Sequence, residues 1–349
     1  MSWVRGLARP EIVALKSYTC PDRDPGCTWL HANELPWRNA VDESAAGLNR
    51  YPEPQPAELL AALAQLYGLD SDQVLATRGT DEGIDLLVRA FCRPGQDAVL
   101  VCPPTFVMYG VAARIQGADV ISVPLQPEQA YALDPSAVLA RCTSAVRLVF
   151  LCSPNSPTGN LMSEAAILEI ADRLAGTALV VVDEAYIEFA SRASLARQLL
   201  RRPQLVLLRT LSKAHALAGA RCGSLLADAE IIALLRKIIA PFPLPQPTTD
   251  AALRALAPPQ LAATRAAIER VRAERGRLFA ALPRLACVRR VWPSEANFLL
   301  TEFTDAAAAL ARAREARLLV RDVSAHVRQG LRITIGSEDD NNRLLEAWS

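Results

Sequence analysis

Only three of the 38 basic side chains are lysines: Lys16, Lys213 and Lys237. Chemistry that needs an amine nucleophile, such as Schiff-base formation with a carbonyl, therefore has three addresses. Such chemistry requires a neutral amine, and lysine is the cation whose pKa falls readily on burial. Lys213 lies in TLSKAHALAGARCG (210–223), a stretch of small and apolar residues that follows the run QLVLLRT (204–210). Two further polar groups follow apolar runs in the same way. Asp183 comes directly after Val180, Val181 and Val182, with Tyr186 three residues on, and SPNSPTGN (153–160) follows VRLVFLC (146–152). A carboxylate at the tip of a buried strand can hold a positive partner, whereas the same Asp at a surface would only cap a helix or turn.

These groups converge only if the runs before them are neighbouring strands. Near-continuous apolar segments recur at 73–77, 98–102, 119–125, 146–152, 178–185, 204–210 and 222–227. Runs of that kind indicate strands covered on both faces, as in a mostly parallel sheet. Helical patterns at 82–92, 106–117 and 163–176 alternate with them, the last opened by Ser163 as N-cap and closed at Gly176. The expectation is an α/β domain, a sheet between helix layers, with ligands at the carboxyl ends of its strands. The proline-rich PFPLPQPTT (241–249) reads as a junction that is neither helix nor central strand. Beyond it, an Ala/Arg-rich helical stretch broken at Pro258 and Pro259 leads to strand-like pieces VRRVW, NFLLTEF, RLLVRDV and LRITIG, which suit a smaller α+β domain with antiparallel strands. The division expected is an N-terminal arm with part of the small domain (1–45), a large domain (46–245) and a small one (246–349).

Composition narrows the function classes. A chain of 349 residues suits a large domain plus a smaller one. Its net charge is +1 and its basic residues form no block, so no electrostatic term favours nucleic acid or an anionic membrane. No apolar run has the length of a membrane span. The opening MSWVRGLARPEIVALKSYTC lacks the pattern of a secretory signal, so a cytoplasmic location is expected. Eight cysteines include no C-x-x-C pair, and Cys20, Cys27 and His31 fit no zinc template, so buried reduced thiols and no metal site are expected.

SPNSPTGN, VVVDEAY and TLSKAHALAGARCG, in that order, resemble the fold-type-I aminotransferases that use pyridoxal phosphate. With RYPEPQP (50–56) and LRITIG (331–336), the chain is similar over its whole length to the histidinol-phosphate group of that family. The resemblance implies the aspartate-aminotransferase-like fold, pyridoxal 5'-phosphate on Lys213, Asp183 against the cofactor's ring nitrogen, and Asn155 and Tyr186 at its ring hydroxyl. It implies Phe106 stacked on the ring, and a phosphate held by Ser212, Arg221 and the turn at Gly79, Thr80 and Asp81. A helix starting at that turn gives a physical reason, because free backbone N–H groups there attract anions. It further implies Tyr51 reaching the neighbouring subunit's site in a homodimer, with Tyr18, Asn33, Asn297, Arg321 and Arg332 around a phosphorylated amine or glutamate. Arg332 would bind the carboxylate of one substrate and the phosphate of the other.

The implied reaction is amino transfer between L-glutamate and imidazole-acetol phosphate. An aromatic amino-acid aminotransferase and a threonine-phosphate decarboxylase share the same cofactor motifs. A cofactor-binding regulator of this fold would need an added DNA-binding module. Two departures from the group's pattern stand out: Leu35 in the Asn33–Pro36 stretch, and His215 where an aromatic or apolar residue is usual.

Overall fold

The computed structural model describes residues 3–21, 24, 26–45 and 47–349. Seven strands form one sheet: β1 (Val74–Thr77), β2 (Ala98–Val101), β3 (Asp119–Ser122), β4 (Val146–Cys152), β5 (Leu179–Asp183), β6 (Leu205–Thr210) and β7 (Gly223–Leu226). Their order is β1-β7-β6-β5-β4-β2-β3, and only β7 runs against its neighbours. Five of the apolar runs form central strands because both faces are covered, whereas β1 and β3 are the edges and β3, expected to be buried, is exposed at both its ends. Val180, Val182, Leu205 and Leu207 face one buried cluster, while Leu179, Val181, Val206 and Leu208 face another. Each such side chain, fully buried, contributes about 1.5–3 kcal/mol relative to leaving it in water.

A second sheet of β8 (Val288–Val291), β9 (Phe298–Phe303), β10 (Arg321–Asp322) and β11 (Gly330–Thr334) is antiparallel throughout, in the order β10-β11-β9-β8. Its core, with Leu299, Phe303, Leu331 and Trp348, is separate from the two under the large sheet. The α/β reading of the sequence and its antiparallel tail both hold.

Local signals explain most of the helix ends. Ser163 caps the helix Glu164–Arg173 through its hydroxyl, and Ser337 and Asp340 cap the helix Glu338–Trp348 reciprocally. One expectation fails. The helix Gln246–Leu256 begins inside the proline-rich segment, with Pro245 as N-cap and Pro247 in its first turn. The first turn is where a missing N–H costs no hydrogen bond, so proline there starts a helix rather than preventing one. The break read at Pro258 and Pro259 falls one residue earlier, at Ala257, and the 24-residue helix Pro258–Ala281 begins at the proline pair. Among the described residues no helix is long and apolar enough to cross a membrane.

Candidate active site

The carboxyl ends of β1, β2, β4, β5 and β6 lie on one edge of the large sheet, and the amino end of the reversed β7 joins them. That edge carries a cleft lined by Gly79, Thr80, Asp81, Phe106, Asp183, Tyr186, Ser212, Lys213 and Arg221. Nine of the residues singled out in the sequence thus meet at one place. Thr80, Asp81, Tyr186, Ser212 and Lys213 stand in the first residues after a buried strand, Asp183 ends its strand, and Arg221 stands just before β7 begins.

Asp183 is buried at the end of β5. Its Oδ2 accepts a 2.8 Å bond from the Tyr109 hydroxyl and its Oδ1 accepts from the Ala185 N–H at 3.0 Å. Burial pushes its carboxyl up to about 6, against the pull of those two donors. Tyr109 is itself buried, stacked on Phe150 at 4.8 Å, and its phenol is pushed well above its ordinary range by the same desolvation. Phe106 stands edge-on to Tyr109 at 5.6 Å, with part of its ring open to the cleft.

Lys213 faces the open cleft, with Nζ 5.6 Å from the centre of the Tyr186 ring. Desolvation holds its ammonium below the usual lysine range, Arg332 and Arg221 add to the effect, and Asp183 opposes it. Tyr186 packs edge-on against Phe298 at 5.1 Å, and burial pushes its phenol up to about 12. Arg332 donates from Nη1 to Ser156 Oγ at 2.8 Å, so the small sheet reaches the cleft through this arginine. Arg332 lies directly opposite Arg321 in the β10–β11 pair, which puts both side chains on one face of that sheet.

At the other wall, Arg221 donates to Asp81 Oδ2 at 3.2 Å, to the Ala218 carbonyl at 3.2 Å and to Ser212 Oγ at 3.5 Å. Gly79 has φ +77, and a Cβ there would stand 2.7 Å from the Arg221 guanidinium. A Cβ on Gly223 would meet the Gly79 backbone at 2.8 Å. Glycine at both positions lets two chain turns and one arginine share a space that any side chain would fill.

Other sequence candidates sit elsewhere. Asn155 is fully buried, but its amide donates to the Pro104 carbonyl at 2.8 Å and Thr158 Oγ1 at 2.6 Å, while its oxygen accepts from Thr105. Tyr51 and Asn33 line a second hollow with Glu34, Arg50 and Gln246, and Tyr51 stacks on Phe242 at 4.5 Å. Tyr18 borders a third, beside Arg236 and Lys237. Asn297 immediately precedes β9 and accepts from the Ile335 N–H.

The sequence reading passed over Tyr109, Ser156 and Cys152, which all meet the cleft or its floor. Tyr109 stood in an amphipathic helix pattern that explained it as core. A spacing of three from Phe106 was the available signal, because residues three apart share a helix face.

The sequence profile of the family "Aminotransferase class I and II" matches residues 11–347. The chain is 49% identical to the histidinol-phosphate aminotransferase of Stenotrophomonas maltophilia over 99% of its own length and 96% of that protein's. It is 51% identical to the histidinol-phosphate aminotransferase of Xylella fastidiosa, covering 92% and 88% of the two chains. In three dimensions it resembles the histidinol-phosphate aminotransferase from Clostridium acetobutylicum with a TM-score of 0.78, over 86% of this chain and 90% of that one, at 20% identity. The last likeness bears on fold alone; that fold is the aspartate-aminotransferase-like one. Fold, cleft and near-full-length identity agree, and the chain belongs to the class I and II aminotransferases, on the branch of the histidinol-phosphate aminotransferases.

Proposed function

We propose that the protein transfers an amino group reversibly between L-glutamate and imidazole-acetol phosphate, giving L-histidinol phosphate and 2-oxoglutarate, a step of histidine biosynthesis. The observation that carries the reading is the convergence of Lys213, Asp183, Tyr186 and Arg332 at one sheet edge, in a chain about half identical to proteins of that name.

The family depends on pyridoxal phosphate, and the cleft has the donor set such a group requires. At one end Gly79 and Gly223 leave space beside Arg221, Ser212 and the start of the helix Thr80–Phe91, a setting for a phosphate. The Arg221–Asp81 pair is half-exposed and weak, so Arg221 can exchange Asp81 for a doubly charged anion. At the other end the buried Asp183 suits a protonated ring nitrogen, and Phe106 offers a flat apolar face. Asn155, one residue from Ser156, meets the ring hydroxyl if it exchanges one of its amide bonds. When bound, pyridoxal phosphate supplies the electron sink that lets a carbon bearing an amino group lose its proton.

The chain's own residues do the rest. Lys213 would hold the cofactor and, once free, carry a proton on Nζ to and from the substrate carbon; a depressed pKa suits that task. Asp183 supplies fixed negative charge, and a cation beside it would offset the burial that now raises its pKa. Tyr109 is a positioning residue that keeps this carboxylate in place. Tyr186 stays protonated and donates. Arg321 and Arg332 set two like charges directly opposite, an arrangement that costs stability until an anion lies between them. Carboxylate and phosphate both fit a planar guanidinium. Two half-reactions on one site give ping-pong kinetics.

The functional unit is a homodimer in which Tyr51 enters the partner's cleft. Leu30, Trp37 and Val41 are 88%, 77% and 85% exposed, and an apolar arm of that kind needs cover from a second copy. The partners are otherwise small molecules, with neither nucleic acid nor membrane among them. Eight unpaired thiols suit the reducing cytoplasm.

Absorbance spectroscopy tests the reading. Protein supplied with pyridoxal phosphate should show a visible band that bleaches with histidinol phosphate and returns with 2-oxoglutarate. Bleaching with glutamate and tyrosine but not histidinol phosphate would replace the substrate with an aromatic amino acid. Release of carbon dioxide from threonine phosphate would make the enzyme a decarboxylase.

A further inference from the structure

Tyr186 is followed at once by a tight turn, Ile187–Phe189, and two arginines of the long helix Pro258–Ala281 grip it. Arg272 donates to three successive carbonyls: Phe189 from Nε at 3.2 Å, Glu188 from Nη2 at 3.2 Å, and Ala190 from Nη2. Arg275 Nη1 donates to the Phe189 carbonyl at 3.2 Å and to the Ala296 carbonyl at 2.8 Å. Glu295 completes the seam, accepting from Ser191 N at 2.7 Å and Ser191 Oγ at 3.2 Å, with Arg275 Nη2 at 3.9 Å. Its own N–H donates to the Gly159 carbonyl at 2.8 Å, in the loop of Ser156. Two residues after Ala296, Phe298 begins β9; its ring packs on Tyr186 and lies 5.2 Å from the guanidinium of Arg332. Phe189, Ala214 and Ile268 form a small apolar cluster here, joined by Tyr186 and Val271.

Arg272, Arg275 and Glu295 do not line the cleft, yet the seam they make joins the two bodies whose side chains must meet there. Lys213 and Tyr186 belong to the large sheet, and Arg332 belongs to the small one. Charge-assisted bonds to carbonyls are about twice as strong as neutral ones, and a three-carbonyl grip fixes orientation as well as distance.

We propose that Arg272 and Arg275 are positioning residues for amino transfer, which hold the turn after Tyr186 against the start of β9 and so fix the reach from Arg332 to Lys213. The inference rests on the function proposed above. A loosened seam leaves cofactor binding and the proton-moving groups intact, but it lets the anion-binding arginine drift from its station. Small misplacement of a binding group is costly out of proportion to its size.

The test uses holoenzyme carrying Arg272→Ala or Glu295→Gln. Either change should raise KM for glutamate and for histidinol phosphate about tenfold while kcat stays within about threefold of wild type. The visible cofactor band should be unchanged. In cofactor-free Glu295→Gln the Ser191 amide should exchange its hydrogen about tenfold faster than in wild type. A fall in kcat at unchanged KM would mean only lost folded enzyme and would overturn the proposal, as would unchanged kinetics. If Arg272→Ala does not fold, the nearly isosteric Glu295→Gln decides alone. Should wild type use another amino donor, the substrate reading fails, and the same KM-against-kcat split is read with that donor.

Discussion

The cleft and the N-terminal arm hold residues of equal interest and treat them in opposite ways. In the cleft, Lys213, Asp183 and Arg221 stand on or beside strands whose other side chains are wholly buried, and Asp183 and Arg221 are each oriented by a neighbour from a different element. In the arm Tyr18 is 64% exposed, and just beyond it Tyr51 lies against Phe242 above a shallow hollow, near apolar side chains that face outward. In the proposed homodimer, the chain assembles one half of its site from its own core and presents the other half to its partner. A polar residue needs a rigid strand end to be poised alone, and a partner surface to be poised in company.

Breaking the cleft has the largest expected effect. Lys213→Ala should lower kcat by about 10⁴-fold or more, since it removes both the proposed anchor of the cofactor and the proposed proton carrier. Steady-state amino-transfer assays check this, and residual turnover near wild type would remove Lys213 from the mechanism. Asp183→Asn should lower kcat by about 10³-fold, the scale of losing a buried electrostatic partner.

Asp183 also carries a stability signature in the cofactor-free protein. Its folded pKa, near 6, lies above the ordinary value, so the native state holds the proton more tightly than the unfolded chain. The sign of linkage is then negative: this group's contribution falls as pH rises from about 4 to about 6, by a total on the order of 3 kcal/mol. Melting of wild type against Asp183→Asn at pH 4 and pH 7 should show the variant gaining relative stability at the higher pH. Parallel curves would mean that the carboxylate is not destabilised by burial.

The arm is tested by complementation. Tyr51→Ala should lower kcat/KM by about 10–100-fold, and Lys213→Ala alone should be inactive. Refolded together in equal amounts, they should regain about a quarter of wild-type activity, because half the dimers are hybrids with one intact site. No recovery would make Tyr51 act within its own chain or not at all. The smallest effect is expected inside the floor of the cleft. Tyr109→Phe should cost about tenfold in kcat, the value of one hydrogen bond to a charged group, and should raise the Asp183 pKa further.

Much of this was legible beforehand because the physics was local. A triplet of valines ending in Asp183 can only be a buried strand with its charge at the tip, and three lysines in 349 residues leave little choice of amine. The helix at 246 was misread because proline was weighed as a breaker without asking which turn it occupied. Asn155 was legible as a turn residue, but the bonds its side chain makes to Pro104 and Thr105 depend on a loop about fifty residues away. Tyr109 was passed over as a core aromatic, since it lies on a helix and its hydroxyl partner, Asp183, comes from β5. The buried ion pairs of Arg209 with Glu184 and Glu188 went unseen for the same reason.

The scarcity of lysine has one more consequence. Lys237 is tied by Nζ to the Val13 carbonyl at 2.7 Å and Lys16 is exposed, so the three amines sit in three different environments. Reductive methylation with isotope-labelled formaldehyde would give a carbon spectrum of three side-chain signals plus the terminus. Of the three side-chain signals, the one that titrates lowest would report on the reactive amine directly, in a protein that needs no mutation to make it visible.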